Sequence, residues 1–73
     1  MDMEELKARC KEVWKDFMQK VIDYQDIFGN RDQATEDAWH DLFAAEETIS
    51  RITGSMISDL DFDRWESELR GRI

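Results

Sequence analysis

The fold is decided by one long amphipathic stretch, MEELKARCKEVWKDFMQKVIDYQDIF at residues 3–28. Apolar residues recur in it at steps of three or four, which is the spacing of one face of an α-helix. Gly29 follows directly, and a glycine in the left-handed conformation commonly ends a helix. The stretch therefore predicts a first helix over residues 3–28. Its predicted apolar face is Met3, Leu6, Cys10, Val13, Phe17, Val21, Tyr24 and Phe28, widened by Trp14, Met18 and Ile22 on one side and by Ile27 on the other.

Residues 31–57 have the same periodicity and predict a second helix. Asn30 and Gln33 have the spacing of a capping box, in which two side chains near a helix start cap each other's backbone N–H groups. Gly54 either weakens this helix by about 1 kcal/mol relative to alanine or marks a break in it. The predicted seam against the first helix is Ala38, Leu42, Ala45, Ile49, Ile52 and Met56.

A short third helix is predicted at residues 62–70, with Asp61 as its N-cap and Gly71 just past its end. Phe62, Trp65 and Leu69 form its apolar stripe. The expected fold is all-α: a long antiparallel helical hairpin of residues 3–28 and 31–57, crossed by the third helix. At 73 residues, the chain is too short for two hydrophobic cores, so residues 1–73 are expected to form a single helical domain.

Composition narrows the function classes. The chain has one cysteine, so it has no internal disulfide and no cysteine-based zinc site. It has no apolar run of transmembrane length and no signal-peptide core at its start, so a cytoplasmic protein without membrane association is expected. No cofactor is expected. A domain this small commonly needs a partner subunit for stability.

The net charge of −8 is unevenly spread along the chain. Residues 1–31 carry seven acids and six bases, whereas residues 32–69 carry eleven acids and two bases. A field of one sign repels nucleic acid and attracts basic surfaces. Direct nucleic-acid binding is therefore not expected, and a basic protein is the expected partner.

The acids concentrate in TEDAWHDLFAAEE at residues 35–47, where they flank two large aromatic residues. At 100° per residue, some carboxylates lie on each side of the helix's apolar seam. Aromatic residues often dominate the energetics of interfaces, so this acidic and aromatic face is predicted to bind a partner. Its predicted residues are Glu36, Asp37, Trp39, His40, Asp41, Phe43, Glu46 and Glu47.

Trp39, Phe43 and Ile57 would lie 100–140° from the centre of the seam, at 100° per residue. One neighbouring helix would not cover so wide an apolar face. Either the third helix folds over these residues, or a homodimer or another partner buries them. The second interpretation is slightly favoured.

The sequence supports a catalytic or metal-binding function less well than it supports partner binding. Asp37 and His40 have the spacing found in di-iron helical bundles, but such sites need two of these motifs and two further carboxylates. The acids of residues 59–63 resemble the start of a calcium-binding EF-hand loop, but its required Gly and Glu positions hold Arg64 and Arg70. These acids are instead explained by helix capping and the helix dipole. Cys10 is expected to be a buried apolar residue. The sequence therefore predicts a protein that is not an enzyme and has no catalytic residues and no metal site.

The order of features resembles the Hha/YmoA family of small helical nucleoid regulators. The matching elements are Cys10, residues 18–23, residues 44–46 and Trp65. The middle of this chain is longer than in that family, and the chain is more acidic. The resemblance implies binding to an H-NS-type silencing protein through acidic residues, with Glu46 at the matched position.

Two functional hypotheses follow from the sequence. The first is a non-enzymatic inhibitor or modulator that docks its acidic face on a basic nucleic-acid-binding protein. This resembles phage-encoded DNA mimics and anti-CRISPR proteins in type rather than in sequence, and an Hha-like regulator would be a special case of it. The alternative is a structural or assembly protein whose wide apolar face builds a helical homo-oligomer.

Overall fold

The computed structural model describes residues 2–71, which form three helices: α1 at Met3–Phe28, α2 at Gln33–Thr53 and α3 at Asp59–Arg70. α1 and α2 form an antiparallel hairpin, and α3 packs against α1 along one side of it. The described residues contain no β-strand. The predicted all-α class and its hairpin-plus-short-helix arrangement are confirmed. Within the same residues, no helix is both long enough and apolar enough to cross a membrane.

The hairpin turn is held together by one buried side chain. α1 ends at Phe28, and Gly29 follows with φ 84° and ψ 176°, so the helix ends where predicted and φ is positive, but Gly29 does not have the predicted left-handed helical conformation. The Thr35 hydroxyl is fully buried and donates a hydrogen bond of 2.8 Å to the Gly29 carbonyl oxygen. The Gly29 carbonyl lies just past the end of α1 and has no partner within that helix, so this bond satisfies it. The bond also connects the first turn of α2 to the end of α1.

α2 is shorter than the predicted 31–57. It begins at Gln33 because Asp32 is its N-cap, whose carboxylate accepts a 2.8 Å hydrogen bond from the Ala34 N–H. The predicted capping box starting at Asn30 is therefore wrong. Asp32 lies directly beside the free N–H groups of the first turn, which its carboxylate caps.

At the C-terminal end of α2, Gly54 marks a break in the helix, which was the second of the two predicted possibilities. This residue has φ 60° and ψ 39°, the left-handed conformation of a helix C-cap, so the helix ends at Thr53. Met56 and Ile57 consequently lie in the link to α3 and not on α2. Ile57 is fully buried there, which corrects the prediction that it lies on an uncovered flank of α2.

α3 starts earlier than predicted, at Asp59, with Ser58 as its N-cap. Asp61 is the third helical residue, and its carboxylate accepts a 3.0 Å hydrogen bond from the Ser58 N–H. The prediction of Asp61 as the N-cap is therefore wrong, because this carboxylate caps the helix from inside its first turn. Phe62 and Trp65 are buried as predicted.

The core is centred on the side of the hairpin that α3 covers. Trp14, 1% exposed, stacks on Phe62 with ring centroids 6.0 Å apart and meets Trp65 edge-on at 5.7 Å. Val13, by contrast, is 49% exposed, although it was predicted near the middle of the buried face. α3 turns the buried face of α1 toward Trp14, so the prediction for Val13 is wrong. The buried apolar residues are Cys10, Trp14, Met18, Val21, Ala38, Leu42, Ile49, Ile57, Phe62 and Trp65.

Candidate functional site

The eight residues predicted to bind a partner project from α2 in three directions. Trp39, Phe43 and Glu46 lie on the side facing α3, where they line a recess. Asp41 lines the opposite side of the hairpin, and Asp37, one helical turn earlier, shares that side. The remaining three are exposed on the outer side of α2: Glu36, His40 and Glu47.

The recess between α2 and α3 has a volume of about 370 Å³. We call it the acidic recess, because four carboxylates line it: Glu46 from α2 and Asp59, Asp63 and Glu66 from α3. On α3 these acids follow steps of four and three, so they lie on one face of the helix. The acidic recess thus gathers negative charge from two helices that are separated in sequence.

Glu46 is fixed at the inner wall of the acidic recess. Its carboxylate accepts a 2.8 Å hydrogen bond from the indole Nε1–H of Trp14. Trp14 is in turn held by its stacking on Phe62. The aromatic core therefore sets the position of the Glu46 carboxylate, so that it is a pre-organised acceptor.

The environment of Glu46 disfavours its charge. Burial raises the pKa of its carboxyl above the ordinary value of 4.5, and the hydrogen bond from Trp14 opposes this effect. The negative charges of Asp59, Asp63 and Glu66 raise the pKa further. A cation placed in the acidic recess would relieve this repulsion.

Intramolecular ion pairs leave much of this charge uncompensated. Lys7 pairs with Asp61 at 3.7 Å, and Lys11 pairs with Glu68 at 3.0 Å. These two bases of α1 therefore neutralise acids of α3 that lie outside the acidic recess. Among the recess carboxylates, only Glu66 has an ion pair within residues 2–71, with Arg70 at 2.9 Å. Glu46, Asp59 and Asp63 therefore remain available to an external base.

An aromatic stack forms the rim of the acidic recess. The rings of Trp39 and Phe43 lie 5.7 Å apart with an interplanar angle of 28°. Trp39 is half-buried and Phe43 is 54% exposed, so α3 only partly covers this pair. Aromatic faces beside carboxylates attract cationic groups, and arginine in particular.

Metal ligands and catalytic groups are not brought together. Within residues 2–71, no group of three or more His, Cys, Asp or Glu side chains has a geometry that could hold a metal ion. His40 is exposed on the outer side of α2, whereas Cys10 is buried, as predicted, in the α1–α2 interface. The two groups most suited to nucleophile and base chemistry therefore lie in different places, one on the outer side of α2 and the other inside the α1–α2 interface.

The sequence interpretation missed the contribution of α3 to this site. Asp59 and Asp63 were assigned only to capping and the helix dipole, and Glu66 was not singled out. The available signal was their four-and-three spacing, which puts all three on one face of α3. Their position opposite Glu46 depends on how α3 packs, which the spacing alone does not give.

Comparisons with protein-family models, curated proteins and solved structures find no match to this chain.

Proposed function

We propose that this protein is a non-enzymatic interaction module that binds a basic surface of a partner protein in its acidic recess. The main support for this proposal is that Glu46, Asp59 and Asp63 converge beside an exposed aromatic stack and have no ion pair within residues 2–71. The partner class proposed is a basic nucleic-acid-binding protein, and the proposed outcome of binding is its inhibition or modulation.

The charge distribution supports a cationic ligand. Burial and repulsion by neighbouring carboxylates raise the pKa of Glu46. The ionised Glu46 carboxylate therefore lowers the stability of the folded protein. The positive charge of an incoming Lys or Arg side chain offsets this penalty, and it gains ion pairs with carboxylates that are already positioned. Pre-organisation of this kind reduces the entropy lost on binding.

The aromatic stack favours arginine over lysine. A guanidinium group can stack on the exposed ring of Phe43 while its N–H groups reach a carboxylate in two parallel hydrogen bonds. A lysine ammonium is more strongly hydrated and lacks this planar geometry. An arginine-rich surface is therefore the expected ligand.

A nucleic-acid-binding protein fits this chemistry because its binding surface is rich in arginine and lysine. Carboxylates one helical turn apart, such as Asp59 and Asp63, are about 5–6 Å apart along the helix, comparable to the spacing of phosphates that basic grooves accept. Arg51 and Arg64 are the only bases in residues 32–69. The resulting field would steer such a partner toward this half of the chain.

The test is a titration with a fluorescent arginine-rich peptide, followed by anisotropy. The recess variant Asp59→Asn with Asp63→Asn should weaken binding about tenfold, which corresponds to about 1.4 kcal/mol. The matched control is Glu12→Gln with Asp16→Asn, an exposed pair on α1 that gives the same change in net charge. The control should lose less than about threefold. Equal losses in the two variants would show only general charge attraction and would contradict the proposal.

A further inference from the structure

The side of the hairpin opposite α3 is an open apolar groove of about 510 Å³. We call it the hairpin groove. Val13 is 49% exposed on its α1 wall, and Ile52 is 59% exposed on its α2 wall. A contiguous exposed apolar patch usually marks an interaction site. The residues that define the groove are Val13, Phe17, Ala44, Ala45, Thr48 and Ile52.

We infer that a second copy of this chain covers the hairpin groove, related to the first by a two-fold axis that lies in the plane between the two copies and runs across the groove. The product is a four-helix arrangement of two hairpins. This inference is independent of the proposed binding of a basic partner, because the acidic recess lies on the α3 side of the hairpin. Both recesses stay exposed in such a dimer.

The charges at the two ends of the groove indicate this occupant. The Trp14–Glu46 hydrogen bond shows which levels of α1 and α2 lie side by side. Arg9 precedes Trp14 by five residues and Asp41 precedes Glu46 by five residues, and the two helices are antiparallel. Arg9 and Asp41 therefore lie on opposite walls, each about 7.5 Å from the central level and toward opposite ends. Both line the groove.

A two-fold axis that runs across the groove at the central level exchanges the two ends of the groove. It places Arg9 of each copy at the same end as Asp41 of the other and on the opposite wall, so one pair of opposite charges meets across the groove at each end. Asp41 has no ion pair within residues 2–71, and Arg9 has one exposed pair, with Glu5 at 3.2 Å. If the two-fold axis instead ran along the groove, both Arg9 residues would share one end and both Asp41 residues the other.

The middle of the groove suits close contact between two copies. Ala44 and Ala45 lie near the central level, and small side chains let two helices approach closely. Val13 and Ile52 of each copy would then be buried against the other. A second copy also supplies apolar burial to a chain whose single core is small.

The test is the oligomeric state by sedimentation equilibrium over a wide range of concentrations. The wild type should be a dimer. Val13→Glu should raise its dissociation constant about 100-fold, because it puts a carboxylate into a desolvated apolar interface. The matched control is Leu60→Glu, which adds the same charge at a residue of α3 that is 76% exposed, and it should leave the dimer unchanged. Circular dichroism should show that both variants keep their helices, since both positions are exposed.

A charge swap tests the symmetry. Arg9→Asp or Asp41→Arg alone should each weaken the dimer about tenfold, and the double variant should restore it. A wild type that is monomeric at every concentration overturns the inference and leaves the groove to a different occupant. A dimer that Val13→Glu leaves intact also overturns it, because another face would then form the interface. Failure of the double variant to restore the dimer contradicts the two-fold arrangement.

Discussion

The two sides of the α1–α2 hairpin differ in what covers them. On one side, α3 brings two aromatic residues onto Trp14 and completes the core. On the other side, Val13 and Ile52 line a groove that nothing within residues 2–71 fills. Neighbouring residues of one helix, Val13 and Trp14, therefore have opposite environments. A single short helix, α3, thus determines which half of a wide apolar face becomes core.

The two sides of the hairpin also differ in the chemistry of their exposed surfaces. The helix that closes the core also brings Asp59 and Asp63 next to Glu46, so the covered side acquires an acidic recess at its edge. The uncovered side has small and aliphatic residues with one opposite charge at each end. We propose a basic partner for the first surface and a second copy for the second surface, because each ligand complements the chemistry of its surface.

The largest expected effect comes from substituting the two neighbours separately. Trp14→Ala removes the ring that both Phe62 and Trp65 contact, and should lower the free energy of unfolding by about 3–5 kcal/mol. Val13→Ala, on the open side, should cost less than about 1 kcal/mol in the monomer. Urea denaturation followed by circular dichroism measures both values, at a protein concentration where sedimentation shows monomer.

A domain of this size has little stability to lose, so the urea curve of Trp14→Ala should show little or no folded baseline. Trp14→Phe keeps part of the aromatic contact and serves as the milder control. Similar losses for Val13→Ala and Trp14→Ala would contradict the division into a covered and an open side.

Much of this fold could be predicted because its signals are local. The spacing of apolar residues between Asp2 and Gly29 gave both ends of α1, and the stripe of Phe62 and Trp65 gave the buried face of α3. The buried position of Ile57 and the exposure of Val13 could not be predicted in this way. Both depend on where the link after Gly54 directs α3, which is a tertiary property.

The smaller expected effect concerns how stability depends on pH. The pKa of Glu46 is raised in the folded protein, so its ionisation destabilises the fold as pH rises from 4.5 through the raised value. Glu46→Gln keeps an acceptor for the Trp14 indole N–H and removes the charge. It should therefore be more stable than the wild type at neutral pH, and this advantage should disappear as pH falls below 4.5. Thermal denaturation at a series of pH values measures the difference.

Asp61 of α3, which pairs with Lys7 of α1, is the matched contrast, with the opposite sign. The hydrogen bond from the Ser58 N–H lowers the pKa of its carboxyl below 3.8, and the nearby positive charge of Lys7 adds to this effect. Its contribution to stability is present above pH 3.8 and is lost as pH falls through the lowered value. Asp61→Asn should thus be less stable than the wild type at neutral pH. The same sign for both variants would contradict the account of the acidic recess.

The candidate site was only partly accessible from the sequence. Trp39, Phe43 and Glu46 were predicted as members of the acidic and aromatic face of α2, and they do lie together. Glu36, His40 and Glu47 lie elsewhere on α2, because a helix sends residues of one acidic segment in several directions. The carboxylates of α3 join the site only through packing, which a short charged helix does not reveal by itself.

Binding of a basic ligand in the acidic recess can be observed directly by a nitrogen-edited NMR titration of the wild-type protein with the arginine-rich peptide. The indole N–H signals of Trp14 and Trp39 should shift to saturation, because these side chains line the acidic recess. The backbone amides of Thr48 and Ile52, in the hairpin groove, should stay in place. Shifts confined to the groove amides, or no saturable shift of the two indole signals, would contradict the account.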